Sequence, residues 1–162
     1  MAGTAPNEPE TAPDERDVRL IELFFFAYRD FIADPDRLLA ADGFGRAHHR
    51  VMHFVARNPA ISVARLLDIL SITKQSLGPV LRDLVETGHL EQRANPSDRR
   101  QRLLYATPKG DDLVEHLTHL QSKRMKRALD AIADRPEARE TVEAFLFAMI
   151  EPAERQFLDE AA

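Results

Sequence analysis

The stretch ISVARLLDILSITKQSLGPVLRDLVETGHLEQRANPSDRRQRLLYATPKG, residues 61–110, decides the fold. Ser62 can cap a short helix, VARLLDIL, whose Leu66, Leu67, Ile69 and Leu70 point inward. A tight connection through Ser71 and Ile72 leads to Thr73, which can cap a second helix, KQSLGPVLRDLVET. Leu77, Val80, Leu81 and Leu84 fall there at i, i+3, i+4 and i+7, and Gly88 supplies the C-terminal stop. Two short helices joined by a few residues, the second with a polar first turn, spell a helix-turn-helix. HLEQRA and RLLYA follow as two extended runs about the turn NPSDRRQ, which predicts a β-hairpin. A helix-turn-helix followed at once by a basic hairpin is a winged helix.

The flanks are helical and apolar. DVRLIELFFFAYRDFIA, from about Asp17 to Ala33, carries Leu20, Ile21, Phe24, Tyr28, Phe31 and Ile32 on one side and Leu23, Phe25 and Phe26 on others. A helix apolar on most sides requires burial on most sides, which points to a second subunit. Pro35 is expected to interrupt this helix by biasing Asp34 away from helical backbone, and ADGFG forms a second break before the helix RAHHRVMHFVAR. After the hairpin, Thr107 caps and Pro108 opens a long helix through about Ala133. Pro136 opens a last helix through EARETVEAFLFAMIEPAERQFL, with Val142, Phe145, Leu146, Met149 and Ile150 inward. No internal repeat is present.

Charge is unevenly spread. The 162 residues carry a net charge of −5, which taken whole argues against attraction to nucleic acid. The segment His89–Gly110 nevertheless holds Arg93, Arg99, Arg100, Arg102 and Lys109 against Glu91 and Asp98, a local excess of +3. Residues 1–16 are polar, Pro-bearing and acidic, without the basic start and apolar middle of a secretory signal, and read as a disordered tail on a cytoplasmic protein. No apolar run approaches bilayer length, so no membrane partner is expected. Without cysteine there is no disulfide framework, thiolate metal site or cysteine redox sensor. No nucleophile elbow, phosphate-binding glycine loop or zinc-protease motif occurs, so neither an enzyme nor a bound cofactor is expected.

From Gly43 to Gly110 the sequence resembles the MarR family of winged-helix transcription regulators, above all at ITKQSL and DRRQRLLYATPKG. The resemblance implies an all-α fold with a small β-hairpin wing, in which residues 17–42 and 107–162 supply dimerisation helices and residues 43–106 the winged helix-turn-helix. It implies a homodimer on pseudo-palindromic double-stranded operator DNA, acting as a repressor released by a small, often aromatic, effector.

On this reading Thr73, Lys74, Gln75 and Ser76 lie on the first turn of the recognition helix, where they can reach base edges or phosphates. Arg82 touches backbone, Arg93 and Arg102 belong to the basic hairpin, and Arg99 and Arg100 sit at the wing tip, suited to a narrow minor groove. Asp98 is expected to shape the wing by pairing with an arginine. Gly78 and Pro79 depart from the pattern: the helix is expected to kink near Gln75 or to begin only near Gly78. Phe24, Phe25, Tyr28, His49 and His53 form a candidate aromatic effector pocket, or else fill the dimer core. The i, i+4 pair His49 and His53, beside His48, and the pair His116 and His119 leave a metal-responsive regulator as an alternative, although spacing fixes no third ligand. A non-specific DNA-architectural or interaction module of the same fold is the other alternative.

Overall fold

The computed structural model describes residues 14–159. Helix α1 spans Glu15–Ala40, opened by Asp14, whose side chain accepts the Arg16 N–H at 2.9 Å. Glu15 and Arg16, read from sequence as tail, therefore belong to this helix, while the rest of the expected tail lies outside the described residues. The helix also runs through Pro35, contrary to expectation. Proline removes one intrahelical hydrogen bond, but Ile32, Pro35 and Leu39 form one buried stripe, and packing of that stripe holds the last turns helical. The Arg37 guanidinium braces the same region, pairing with Asp34 and donating to the Ala33 carbonyl at 3.3 Å.

A turn at Ala41–Gly43, with Gly43 at φ +73°, leads into α2, Arg46–Arg57. Strand β1, Ile61–Ser62, is too short to leave a periodic trace in sequence. Helices α3, Val63–Leu70, and α4, Lys74–Glu86, follow as expected. Ser62 accepts the Arg65 N–H at 3.1 Å and Thr73 the Ser76 N–H at 3.2 Å. Strands β2, Leu90–Ala94, and β3, Arg102–Ala106, pair antiparallel, and β1 adds to the free edge of β3, giving the order β1-β3-β2. The fold is thus mostly helical with a small sheet, the expected hairpin gaining a third strand.

Helix α5, Pro108–Asp130, ends three residues short of Ala133. Its first turn is fastened to the end of α4. The Thr107 hydroxyl donates to the Gly88 carbonyl at 2.7 Å and accepts the Gly110 N–H at 3.2 Å, and Lys109 Nζ donates to the Thr87 carbonyl at 2.9 Å. Gly110 packs so closely on His89 that a Cβ there would run into the His89 carbonyl oxygen.

The last helix of the sequence reading is two pieces: α6, Ala138–Ala148, and the single turn α7, Gln156–Asp159. Pro152 disfavours helical backbone at Glu151. The Arg155 guanidinium takes the carbonyls of Ala148 and Ile150 at 3.2 and 3.0 Å, ending α6.

One core unites the flanks with the middle: Leu39 of α1 and Leu117 of α5 join Val51, Met52, Leu66, Leu77, Leu84, Leu90 and Leu104. Leu38 of α1 and Leu113 and Val114 of α5 pack against it half-buried. Phe24, Phe25, Tyr28 and Phe26 of α1 are exposed, Phe25 by 66%. Of the residues expected inward on the last helix, Val142 and Ile150 are half-buried, whereas Phe145, Leu146 and Met149 lie on the surface, with only one side of α6 set against α1 among the described residues.

Candidate nucleic-acid interface

With Leu77, Leu81 and Leu84 buried, α4 turns Thr73, Lys74, Gln75, Ser76, Gly78, Pro79 and Arg82 to the surface. The helix is intact from Lys74, not from Gly78. Thr73 closes its first turn, its hydroxyl standing 3.0 Å from that of Ser76. Gly78 and Pro79 are exposed, so the missing proline N–H is lost on the solvent side and burial of the leucine face carries the helix through.

The wing turn is built by side chains accepting from backbone. Asn95 accepts the Ser97 N–H and Asp98 the Arg100 N–H, each at 3.0 Å, while Asn95 Nδ2 donates to Gln101 Oε1 at 3.2 Å. Asp98 thus shapes the loop through the main chain, and among the described residues it forms no ion pair with an arginine. Arg99 and Arg100 are left exposed at the tip.

Pleating sorts the remaining hairpin residues. Leu90, Gln92 and Ala94 face the same way as their partners Ala106, Leu104 and Arg102, and buried Leu104 marks this as the inner face. Arg102 and Gln92 therefore look toward α4. Glu91 and Arg93 share the opposite face with Tyr105. There Arg93 pairs with Glu91, and its guanidinium lies 4.3 Å from the Tyr105 ring centroid. Gln92 went unnoticed in the sequence, where only the hairpin register could have exposed its side.

Between α4, the first turn of α3 and the wing lies a cleft of about 1100 Å³. Lys74 and Arg82 line it from α4 and Arg100 and Arg102 from the wing; Glu86 is acidic, and Glu91 also borders it although its carboxylate pairs with Arg93 on the other hairpin face. Lys74, Gly78 and Arg82 are spaced i, i+4, i+8, so one row of the helix faces the opening. Four cations across an open trough suit a polyanionic strand.

The five residues considered for an effector are divided between α1, with Phe24, Phe25 and Tyr28, and α2, with His49 and His53. Phe24 lines a groove of about 530 Å³ between α1 and α6 with Leu20, Ile21, Phe145 and Met149, whereas Phe25 and Tyr28 do not line it. His49 and His53 lie half-buried on α2. Burial pushes both below the usual histidine range, assisted at His49 by His53 and opposed there by Asp36, and assisted at His53 by Arg57. His48 is engaged with Asp83, and among the described residues no three His, Asp or Glu side chains gather as a metal site. His116 and His119 are exposed on α5. Among the described residues no helix is long and apolar enough to cross a membrane.

The sequence profile of the MarR family matches residues 42–101. The chain is 44% identical over 159 residues to the HTH-type transcriptional regulator PetP of Rhodobacter capsulatus, covering 96% of this chain and 95% of that one. Among solved structures, the MarR protein from Peptoclostridium difficile shares the fold with a TM-score of 0.69 at 15% identity, covering 98% of this chain and 99% of that one. A mutant MarR from E. coli, complexed with operator DNA, gives a TM-score of 0.65 at 20% identity, covering 86% and 100%.

Proposed function

Since the chain belongs to the MarR family and is a helix-turn-helix transcription regulator that binds DNA, we propose that it grips a pseudo-palindromic operator as a homodimer. The cleft that sets Lys74 and Arg82 opposite Arg100 and Arg102 carries this reading. A phosphate strand lying in it would place the first turn of α4 in the major groove and the wing tip beside the neighbouring minor groove. Thr73, Lys74, Gln75 and Ser76 then face bases or phosphates, Arg82 and Arg102 the backbone, and Arg99 and Arg100 the minor groove. Arg93 drops out of the contact set, because the pleat turns it away and Glu91 and Tyr105 occupy it.

The exposed apolar faces of α1 and α6 support pairing with a second copy. Phe25, Phe26, Phe145 and Met149 each leave roughly half or more of their surface in water, an arrangement monomers rarely tolerate as a contiguous patch. The protein acts as a repressor in the cytoplasm. A small apolar or aromatic effector that fits only the dimer whose recognition helices are wrongly spaced shifts the population off DNA, and the groove beside Phe24 offers such a ligand apolar walls.

Fluorescence anisotropy against the intergenic DNA beside the protein's own gene, with random duplex as competitor, tests the reading. Tight binding that survives competitor supports a specific regulator; binding that competitor abolishes fits an architectural protein instead. Sedimentation equilibrium on the same sample measures the pairing.

A further inference from the structure

The segment after α6 reaches back to the helix-turn-helix of its own chain. Ser71, in the left-handed conformation at the turn between α3 and α4, donates its hydroxyl to Glu154 Oε1 at 3.3 Å. Six residues earlier, in the first turn of α3, the Arg65 guanidinium lies 4.6 Å from the ring centroid of half-buried Phe157. The same segment is tied at its other end, where Arg155 holds the last carbonyls of α6. Residues 149–157 therefore run from the end of a terminal helix to the corner from which α4 departs, fixed by side-chain contacts at both ends.

We infer that Glu154 and Phe157 are positioning residues for the recognition helix. The segment is a strap that sets the angle of the α3–α4 corner relative to α6. The inference rests on the reading that α4 enters DNA. A two-fold operator demands a fixed spacing between two recognition helices, so a connection between the terminal helices and the turn governs how well both half-sites are met at once. The hydrogen bond and the cation–π contact are each modest, and together they are worth about tenfold in an equilibrium. Electrostatics alone predicts the opposite sign: removing an acid near a DNA-binding surface favours phosphate.

Two double variants of the full chain separate these effects. Glu154→Ala with Phe157→Ala removes both contacts, whereas Glu154→Gln with Phe157→Tyr keeps an acceptor for Ser71 and a ring for Arg65. The probe is a duplex selected by the wild-type protein from a random-sequence pool. The alanine pair is expected to bind it about tenfold more weakly, with affinity for random duplex no lower than wild type and the sedimentation mass unchanged, and the conservative pair to stay within about twofold of wild type. Equal or tighter binding by the alanine pair overturns the strap. Hydrogen exchange at the Ile72 and Thr73 amides gives an answer independent of DNA: faster exchange in the alanine pair supports the strap, and unchanged exchange overturns it. Failure of the wild type to select any duplex, with the exchange result intact, overturns the DNA reading and leaves the mechanical link standing.

Discussion

His48 Nε2 lies 3.2 Å from Asp83 Oδ2, fastening α2 to the C-terminal part of α4. The Gly45 N–H donates to His48 Nδ1 at 3.1 Å, which assigns the proton of the neutral ring to Nε2 and makes that atom the donor to Asp83. The ring also stacks on Phe44 with centroids 4.8 Å apart. His48→Ala is expected to cost about 1–3 kcal/mol in urea unfolding, and a double-mutant cycle with Asp83→Ala to give a coupling of about 1 kcal/mol. Additive single effects would mean that the pair does not hold the helix.

The arginines of the wing are predicted to fall into two classes. Arg99→Ala and Arg100→Ala should each weaken operator binding and lower the slope of log affinity against log salt by about one. Arg102→Ala should behave in the same way. Arg93→Ala should leave both quantities unchanged, since its guanidinium is directed at Glu91 and Tyr105 on the outer face. An equal loss on replacing Arg93 would show that DNA approaches the hairpin from the other side.

Gly110 should resist replacement even by alanine. The added methyl meets main chain at His89 rather than a movable side chain, so α5 must shift away from the end of α4. A destabilisation of about 1–3 kcal/mol is expected, read as a lower urea midpoint at unchanged m. Wild-type stability in Gly110→Ala would place the two segments farther apart.

Acidification should destabilise the fold before the carboxylates titrate. Burial holds His49, His53 and His89 below the ordinary value of 6.5, with Lys109 acting in the same direction at His89 and Asp42 against it. The unfolded chain then binds more protons than the native one, so the stabilisation is complete above the ordinary value and is lost as pH falls through the lower folded values. The urea midpoint should drop between about pH 7.5 and 5.5, and less steeply in His49→Gln/His53→Gln. A flat profile in the wild type would mean that these rings ionise as freely folded as unfolded.

Short-range chemistry was legible in the sequence. The caps at Ser62, Thr73 and Thr107 and the stop at Gly88 depend on neighbours three or four residues away, and each stands where the residue types place it. Proline misled where burial overrode local preference: Pro35 sits in a buried stripe, and Pro79 rides on a helix held by its leucine face. Strand β1 exists only because β3 offers it an edge. Which hairpin arginines face α4 depends on register, and composition is blind to register. The apolar residues of α6 outnumber what α1 can cover among the described residues, so Val142 is half-buried while Phe145 and Met149 stay on the surface.

Those uncovered terminal helices make the protein's own abundance an input to its action. Under the proposed pairing, the DNA-competent species forms from two chains, so at low concentration its amount grows with the square of the total. Operator occupancy would then respond more steeply than in proportion to synthesis. A cell that halves the protein would lose well over half of its dimers, gaining a threshold without any ligand.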